Sequence, residues 1–188
     1  MIDVGAGVGD FTIMLLKNSD VDRVIAVEPS EDFLLLQKNL MNAGVEEKVL
    51  AFNQAAGDVN GRIPLFKDRY FLSAFPTGET RGSRDAIAYL PCVKLDSLKD
   101  QFKISNLKLI KIDTEGSELK ILQGSTRLLR VFKPRIIVEV HSEELRQNVL
   151  SFLGQMRYRV VAEKINFHRP LISVLYLQPN YQGTDVTC

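Results

Sequence analysis

The sequence predicts an α/β fold built on a mostly parallel, doubly wound sheet with helices on both faces. A short apolar strand, a glycine-rich loop and an amphipathic helix follow one another within residues 1–17. Further apolar runs of strand length alternate with helix-length segments along the rest of the chain. This alternation is typical of parallel sheets, since each crossover between parallel strands needs a long connection, usually a helix.

The bulk composition fits one globular domain spanning residues 1–188. The chain is 45% hydrophobic and 25% charged, and its net charge of +1 predicts neither a nucleic-acid partner nor an anionic membrane surface. Cys92 and Cys188 form no disulfide framework and no metal-ligand spacing. The N-terminus lacks a signal peptide pattern, and no apolar run approaches the ~20 residues of a membrane helix. We therefore expect a cytoplasmic protein without a membrane span.

Each strand of the predicted sheet corresponds to a separate apolar run in the sequence. The seven predicted strands are 2–4, 23–27, 48–53, 107–112, 134–140, 158–162 and 171–177. The predicted helices are 11–17, 31–43 (closed by Gly44), 96–102, 117–129 and one that begins at Ser142. The last two strands have no helix-length gap between them, which predicts an antiparallel last strand that closes a seven-stranded sheet.

Two regions interrupt this regular pattern. Residues 61–95 are predicted to be an irregular insertion on the substrate side, with strands at 62–66 and 86–95 around a segment suited to a substrate-covering flap. The polar segment 178–188 reads as a loose tail. Related architectures usually place a helix or more before the first strand, so we expect an N-terminal extension to be missing from this chain.

The glycine loop, Gly5-Ala6-Gly7-Val8-Gly9, predicts a cofactor site. A dinucleotide fingerprint needs a small residue five positions after its first glycine, where this chain has Asp10. Asp3, two residues before the loop, would repel a pyrophosphate but would suit a cation. S-adenosylmethionine carries a sulfonium and an ammonium group, and we therefore favour it over a nicotinamide cofactor. Asp3 could instead serve as a local cap of the glycine turn.

Glu28 ends the second predicted strand, about 20 residues beyond the loop, where an acidic side chain can accept both ribose hydroxyls of an adenosine. Pro29 follows it at the same edge. A helix-start carboxylate is the alternative interpretation of Glu28. After the third strand, Ala56 leaves space for a flat base. Asp58 could accept a hydrogen bond from the adenine amine or could belong to a turn.

The first, fourth and fifth predicted strands lie side by side in a doubly wound sheet, and their polar ends then meet. Those ends carry Asp113, Glu115, Glu139 and His141, of which Asp113 is also a candidate cofactor contact. Ionised groups beside buried strands are costly unless they are paired or used, so we predict the active site here. His141 is the candidate general base, since its ordinary pKa of ~6.5 lies near working pH.

Glu139 or Glu115 could orient His141 or bind a substrate hydroxyl, and a purely structural role for His141 is the alternative. His168, on a late polar loop, is predicted to be structural or exposed. Carboxylates such as Asp113 could hold a divalent cation in principle. No ligand spacing in the sequence predicts a metal site.

Four segments together resemble the FkbM family of S-adenosylmethionine-dependent methyltransferases: IDVGAGVGDFT, VIAVEPS, LIKIDTEGSELKILQG and IIVEVH. The resemblance implies a class I, Rossmann-like methyltransferase fold. It also implies O-methylation of a hydroxyl on a sugar, a glycan or a natural product. The cofactor role is implied for Asp3, Gly5, Gly7 and Glu28, and the active-site edge for Asp113, Glu115 and His141.

Other functions remain open from the sequence alone. A nucleic-acid N-methyltransferase commonly has a proline-containing loop after the fourth strand, whereas residues 113–116 read Asp-Thr-Glu-Gly. A non-catalytic relative that only binds S-adenosylmethionine is another alternative, and a nicotinamide oxidoreductase is the least favoured. The sequence predicts no particular oligomeric state.

Overall fold

The computed structural model describes residues 1–67, 72–73, 88–165 and 172–180, and it describes side chains for 1–64, 89–165 and 172–180. The strands are, in chain order, β1 (Ile2–Val4), β2 (Val24–Val27), β3 (Val49–Phe52), β4 (Ala55–Ala56), β5 (Gly61–Lys67), β6 (Leu72–Ser73), β7 (Ala88–Val93), β8 (Leu109–Ile112), β9 (Arg135–Val140), β10 (Tyr158–Ile165) and β11 (Ser173–Pro179). The α-helices are α1 (Asp10–Asn18), α2 (Asp32–Ala43), α3 (Leu95–Gln101), α4 (Glu118–Gln123), α5 (Thr126–Phe132) and α6 (Glu143–Gln155).

Seven of these strands form the main sheet, in the order β10-β11-β9-β8-β1-β2-β3. β1 pairs in parallel with β2 and with β8, and β8 pairs in parallel with β9. β11 is antiparallel to both of its neighbours, β10 and β9. The doubly wound, mostly parallel sheet with an antiparallel last strand is therefore confirmed. Strand order reverses between β1 and β8, where open α/β sheets bind their ligands.

Helices cover both faces of this sheet, as successive residues of β2 show. Ile25 and Val27 pack into a core with buried residues of α3, α4, α5 and α6. Val24 and Ala26 pack into a second core with buried residues of α1 and α2. Because neighbouring side chains in a strand point to opposite faces, the two cores lie on opposite sides. Every residue of β1 and β2 is consequently buried, which explains their short, continuous apolar runs.

The predicted helix 117–129 is wrong in one respect, because the chain forms two helices there, α4 and α5. Between them, Gly124 lies against the backbone of Gly57 so closely that a Cβ on Gly124 would collide with the Gly57 carbonyl oxygen. The Ser125 hydroxyl also donates to the Ile121 carbonyl at 2.5 Å. This close backbone approach replaces a continuous helix with a bend.

A second, smaller sheet has the order β4-β7-β5-β6 and includes described parts of the predicted insertion. β5 and β7 are antiparallel, while β4 joins β7 in parallel, so this sheet begins at the strand end that follows β3. Of the predicted flap, residues 71–85, only 72–73 lie within the described residues, and His168 and Cys188 lie outside them. The last strand reaches Pro179, two residues further than predicted. Within the described ranges, no helix has the length and apolar character needed to cross a bilayer.

Candidate functional site

A cavity of about 370 Å³ lies at the carboxyl ends of β1, β2 and β8, a volume within the range of small-molecule sites. Its wall contains six of the predicted cofactor residues: Gly5, Gly7, Glu28, Pro29, Ala56 and Asp113. Glu115, predicted as catalytic, also lines it. The cavity therefore lies at the switch point of the sheet.

The glycine loop turns tightly beneath this cavity. The backbone N–H groups of Gly5 and Ala6 both donate to the Val27 carbonyl, at 2.9 and 3.2 Å, which ties the loop to the end of β2. Gly5 has φ +71°, and a Cβ there would collide with the carbonyl oxygen of Asp113. Gly7 has φ +52°, but a Cβ on it would meet no protein atom within 4 Å. Gly5 is thus required by packing, whereas Gly7 leaves space open beside the cavity.

The Glu28 carboxylate, also on the cavity wall, accepts hydrogen bonds from the glycine loop and from the start of the next segment. Its Oε2 accepts from the Gly7 N–H at 2.8 Å, and its Oε1 accepts from the Ser30 N–H at 2.9 Å. The second bond agrees with the helix-start interpretation of Glu28. Each carboxylate oxygen can accept more than one hydrogen bond, so the side chain can still receive ligand hydroxyls. Glu28 therefore combines a structural role with a position on the pocket wall.

Asp3 lies beneath the loop, fully buried, and is not part of the cavity wall. Its Oδ2 accepts from the Thr12 hydroxyl at 2.6 Å, and its Oδ1 lies 3.3 Å from Lys111 Nζ. Burial raises the pKa of Asp3, opposed by the charge of Lys111 and the hydrogen bond from Thr12. The structure gives Asp3 protein partners where the sequence predicted a cofactor contact.

Lys111 is a site residue that the sequence interpretation missed. Its amine donates to the Gly5 carbonyl at 2.7 Å and lies 3.4 Å from Asp113 Oδ2. The signal in the sequence was a lysine within an otherwise apolar strand, two residues before Asp113. It becomes informative only with the strand register, which pairs Lys111 with Asp3.

Three other predicted cofactor residues lie outside the cavity wall. Ala6 packs in the core under α1 and α2, and a Cβ on Gly9 would lie 2.7 Å from Leu36 Cδ1. Asp58 Oδ2 forms an ion pair with Lys120 at 3.3 Å. In the described structure, Ala6, Gly9 and Asp58 therefore lie against other protein residues and do not line the cavity.

His141, at the end of β9, is surrounded by acidic side chains. We call Asp113, Glu115, Glu118, Glu139 and His141 the polar cluster. Nδ1 of His141 lies 3.1 Å from Glu118 Oε1. Nε2 lies 3.7 Å from Glu115 Oε2 and 3.8 Å from Glu139 Oε1. All four predicted catalytic residues meet here, and two of them, Asp113 and Glu115, also line the cavity.

Glu118 is the member that the sequence interpretation missed. It is fully buried, and its Oε1 also accepts from the Gly116 N–H at 3.1 Å and the Thr114 hydroxyl at 3.2 Å. A sequence signal existed, because Glu118 shares the buried face of α4 with Ile121 and Leu122. A carboxylate at a core-facing helix position calls for a buried partner.

The environment of the cluster shifts two pKa values. Burial lowers the pKa of His141, but the hydrogen bond and charge of Glu118, with the charges of Glu115 and Glu139, outweigh it, so the net shift is upward. Burial raises the pKa of Glu139, and the charges of Asp113 and Glu115 raise it further, against the opposing charges of His141 and Lys111. The site therefore favours the protonated form of His141.

One trio among the described residues also has a spacing at which a small cation could bind. Asp113, Glu139 and His141 each offer one ligand atom, and these atoms lie within 4.8 Å of one another. The acidic groups that could face a cation also stabilise a proton on His141. The sequence predicted no metal site, and this stays a prediction.

Comparison with known proteins identifies a protein family that this chain matches. The family profile described as the methyltransferase FkbM domain matches residues 3–160. A search of curated proteins finds no match. Among solved structures, methyltransferase FkbM from Methylobacillus flagellatus is 19% identical with a TM-score of 0.70, over 94% of this chain and 42% of that one.

Two other solved structures show the same fold at lower identity. Streptococcus pneumoniae Sp1610, a putative tRNA (m1A22) methyltransferase in complex with S-adenosyl-L-methionine, is 16% identical, with a TM-score of 0.58 over 98% of this chain and 68% of its own. Ribosomal protein L11 methylase from Lactobacillus delbrueckii subsp. bulgaricus is 11% identical, with a TM-score of 0.57 over 95% and 68%. These likenesses establish a Rossmann-like methyltransferase fold. The chain spans about two fifths of the length of the Methylobacillus protein.

Proposed function

Because the chain belongs to the FkbM methyltransferase domain family, we propose that it transfers a methyl group from S-adenosylmethionine to a hydroxyl group. The acceptor in this proposal is a sugar, a glycan or a natural product. We also propose that the whole protein acts on this class of acceptor in the cytoplasm.

The charge of the cavity wall is the observation that carries the choice of cofactor. Four carboxylates line the cavity, from Glu28, Asp32, Asp113 and Glu115, and none of its described lining residues is a lysine or an arginine. Such a wall repels the pyrophosphate of a dinucleotide and attracts a ligand with positive groups. S-adenosylmethionine fits this requirement through its sulfonium and ammonium groups.

The shape of the wall fits the same cofactor. A Cβ on Gly7 would meet open space, so this glycine leaves room for a ligand close to the backbone. Glu28 offers carboxylate oxygens to ribose hydroxyls, and Ala55 and Ala56 form a small, apolar part of the wall. When bound, S-adenosylmethionine supplies an electrophilic methyl group, so the protein needs chiefly to position the acceptor and to manage its proton.

The polar cluster supplies the groups for that second task. In the proposed reaction His141 takes the acceptor's hydroxyl proton on Nε2. Glu115 and Glu139 hold the hydroxyl beside Nε2, which lies 3.7 and 3.8 Å from their nearest oxygens. Asp113, a member of this cluster, lines the cavity as Gly5 and Gly7 of the glycine loop do. Leu90 of β7 also reaches the cavity wall, which supports an acceptor side formed by the smaller sheet.

Calorimetry with S-adenosylhomocysteine and then a labelled methyl-transfer assay test this proposal. The acceptor panel should contain sugars, glycans, phenolic natural products and RNA. We expect binding by the folded protein and transfer to a hydroxyl, with His141→Gln retaining binding and losing transfer. Absence of binding would refute the cofactor assignment. Transfer to RNA alone would favour the nucleic-acid alternative, and binding without transfer to any acceptor would favour a non-catalytic relative.

A further inference from the structure

We propose that Glu118 is the positioning residue of the transfer reaction. Its buried carboxylate holds His141 through Nδ1, so that Nε2 is left free to receive the proton of the acceptor hydroxyl. This inference rests on the proposed function, since it assigns a partner to the proposed general base.

The contact between the two side chains is well defined. Glu118 Oε1 lies 3.1 Å from His141 Nδ1, and Glu118 is fully buried in the first turn of α4. The proposal takes Glu118 as a carboxylate, whose oxygens only accept hydrogen bonds, and it therefore assigns the proton in this pair to Nδ1. In neutral imidazole the other nitrogen is then the acceptor. Glu118 thereby selects the tautomer that a general base requires.

The same carboxylate is itself held in place. Its Oε1 accepts from the Gly116 N–H and from the Thr114 hydroxyl, in the segment that follows β8. Glu115 belongs to this segment and lines the cavity. One buried oxygen therefore contacts both the imidazole ring and the segment that carries the cavity-lining Glu115.

The charged groups around His141 distinguish Glu118 from the other carboxylates. Glu115, from the segment after β8, and Glu139, from β9, lie on the Nε2 side at distances too long for a hydrogen bond. Their side chains are 42% and 28% exposed, whereas Glu118 is fully buried. Asp113, also in the cluster, pairs with Lys111 Nζ at 3.4 Å, and the charges of both residues act on Glu139. The sequence suggested Glu139 or Glu115 as the orienting group, but the hydrogen bond is made by Glu118.

The acceptor O–H bond breaks as an N–H bond forms at Nε2, while the acceptor oxygen bonds to the methyl carbon. The C–S bond breaks, and its electron pair stays on sulfur as S-adenosylhomocysteine is formed. The imidazolium beside Glu118 then returns its proton to water. A buried negative charge beside Nδ1 stabilises that imidazolium while it exists.

The direct test is NMR of ¹⁵N-labelled imidazole, which needs no acceptor. The chain has two histidines, so the spectrum is simple, and His141→Gln assigns it. We expect the neutral ring of His141 to carry its proton on Nδ1, with a pKa that falls in Glu118→Gln and is kept in Glu118→Asp. A proton on Nε2 in the wild-type neutral ring would overturn the proposal, even if the variants fail to fold.

Kinetics with the acceptor found in the panel provide the second test. Because His141 must be neutral to accept a proton, activity rises as pH passes its raised pKa. Removing the charge of Glu118 should move this rise to lower pH and reduce kcat by about 10²-fold or more, with KM and cofactor affinity unchanged. A merely structural role would lower stability without moving the pH profile. Glu144→Gln is the control, since Glu144 is an exposed carboxylate of α6 that is not among the groups shifting the pKa of His141.

Wild type and the Glu118 variants together distinguish the role of Glu118 from the methyl-transfer function. If wild type transfers methyl groups and Glu118→Gln does so with an unchanged pH profile, the role of Glu118 fails while the function stands. Activity that is lost on chelation and restored by a divalent cation would also overturn the role, because His141 would then serve the cation. Failure of wild type to bind S-adenosylhomocysteine refutes the function, and the NMR experiment still decides the Glu118–His141 pair.

Discussion

Lys111 Nζ lies 3.3 Å from Asp3 Oδ1, and the two residues are register partners on β8 and β1. The same amine donates to the Gly5 carbonyl at 2.7 Å. A buried ion pair thus lies directly beneath the glycine loop and joins the two strands between which the strand order reverses. Such a pair contributes little net stability when formed, but breaking one side leaves an uncompensated buried charge.

Lys111→Met should therefore be strongly destabilising, by about 3–5 kcal/mol, because Asp3 keeps a buried charge without its partner. Urea unfolding monitored by circular dichroism measures the change. Asp3→Asn combined with Lys111→Met removes both charges while an amide oxygen can still accept from Thr12, so the double variant should regain much of the loss. Additive losses in the double variant would show that the two charges do not act as a pair.

Gly5 and Gly7 should respond differently to alanine, although both have positive φ. At Gly5 the added Cβ collides with the Asp113 carbonyl, and the left-handed backbone adds strain, for a cost of about 3 kcal/mol or more. At Gly7 the Cβ meets no protein atom, so only the backbone cost of about 1–2 kcal/mol applies. Gly7→Ala should instead weaken S-adenosylhomocysteine binding, since this residue lines the cavity.

Thermal unfolding and calorimetry on the two variants check this pair of expectations. Equal losses of stability would contradict the collision at Gly5. Unchanged cofactor affinity in folded Gly7→Ala would contradict a ligand placed close to the loop backbone.

The sheet was predictable from the sequence because its strands are buried on both faces and therefore read as short apolar runs. The edge residues Asp113 and His141 were predictable for the same reason, since they directly follow such runs. Lys111 and Glu118 were not, because their importance depends on which strand lies beside β8 and on which face of α4 meets β9. Asp3 illustrates the same limit. Its charge suggested a ligand, but the register gives it Lys111.

Glu28→Ala should weaken binding of S-adenosylhomocysteine by roughly 1–3 kcal/mol, through the loss of charge-assisted hydrogen bonds. Part of this loss would come from the loop, because the carboxylate also accepts from Gly7 and Ser30. Glu28→Gln keeps an acceptor oxygen and should lose less. Glu31→Gln, a nearby exposed carboxylate outside the cavity wall, is the control for calorimetry. An affinity unchanged in Glu28→Ala would remove the ribose assignment.

Glu139→Gln should stabilise the folded protein at neutral pH. Burial and the charges of Asp113 and Glu115 raise the pKa of Glu139, so folding is penalised once this group ionises. Because the folded pKa lies above the unfolded value of ~4.3, wild type loses stability as pH rises through that window, and the glutamine variant does not. Urea midpoints should therefore differ at pH 7 and converge near pH 3. A variant less stable at pH 7 would contradict the sign of the shift.

Gly154→Ala should raise stability by about 0.5–1 kcal/mol, since glycine within a helix costs conformational entropy on folding. Gly154 lies in α6, is exposed, and a Cβ there would meet nothing within 4 Å. Gly44 is the matched control, because it too is exposed with open space around a Cβ, but its φ is +65°. Gly44→Ala should therefore destabilise by about 1 kcal/mol, and thermal unfolding should move the two midpoints in opposite directions. Shifts of the same sign would mean that backbone conformation does not decide the effect of alanine at these two sites.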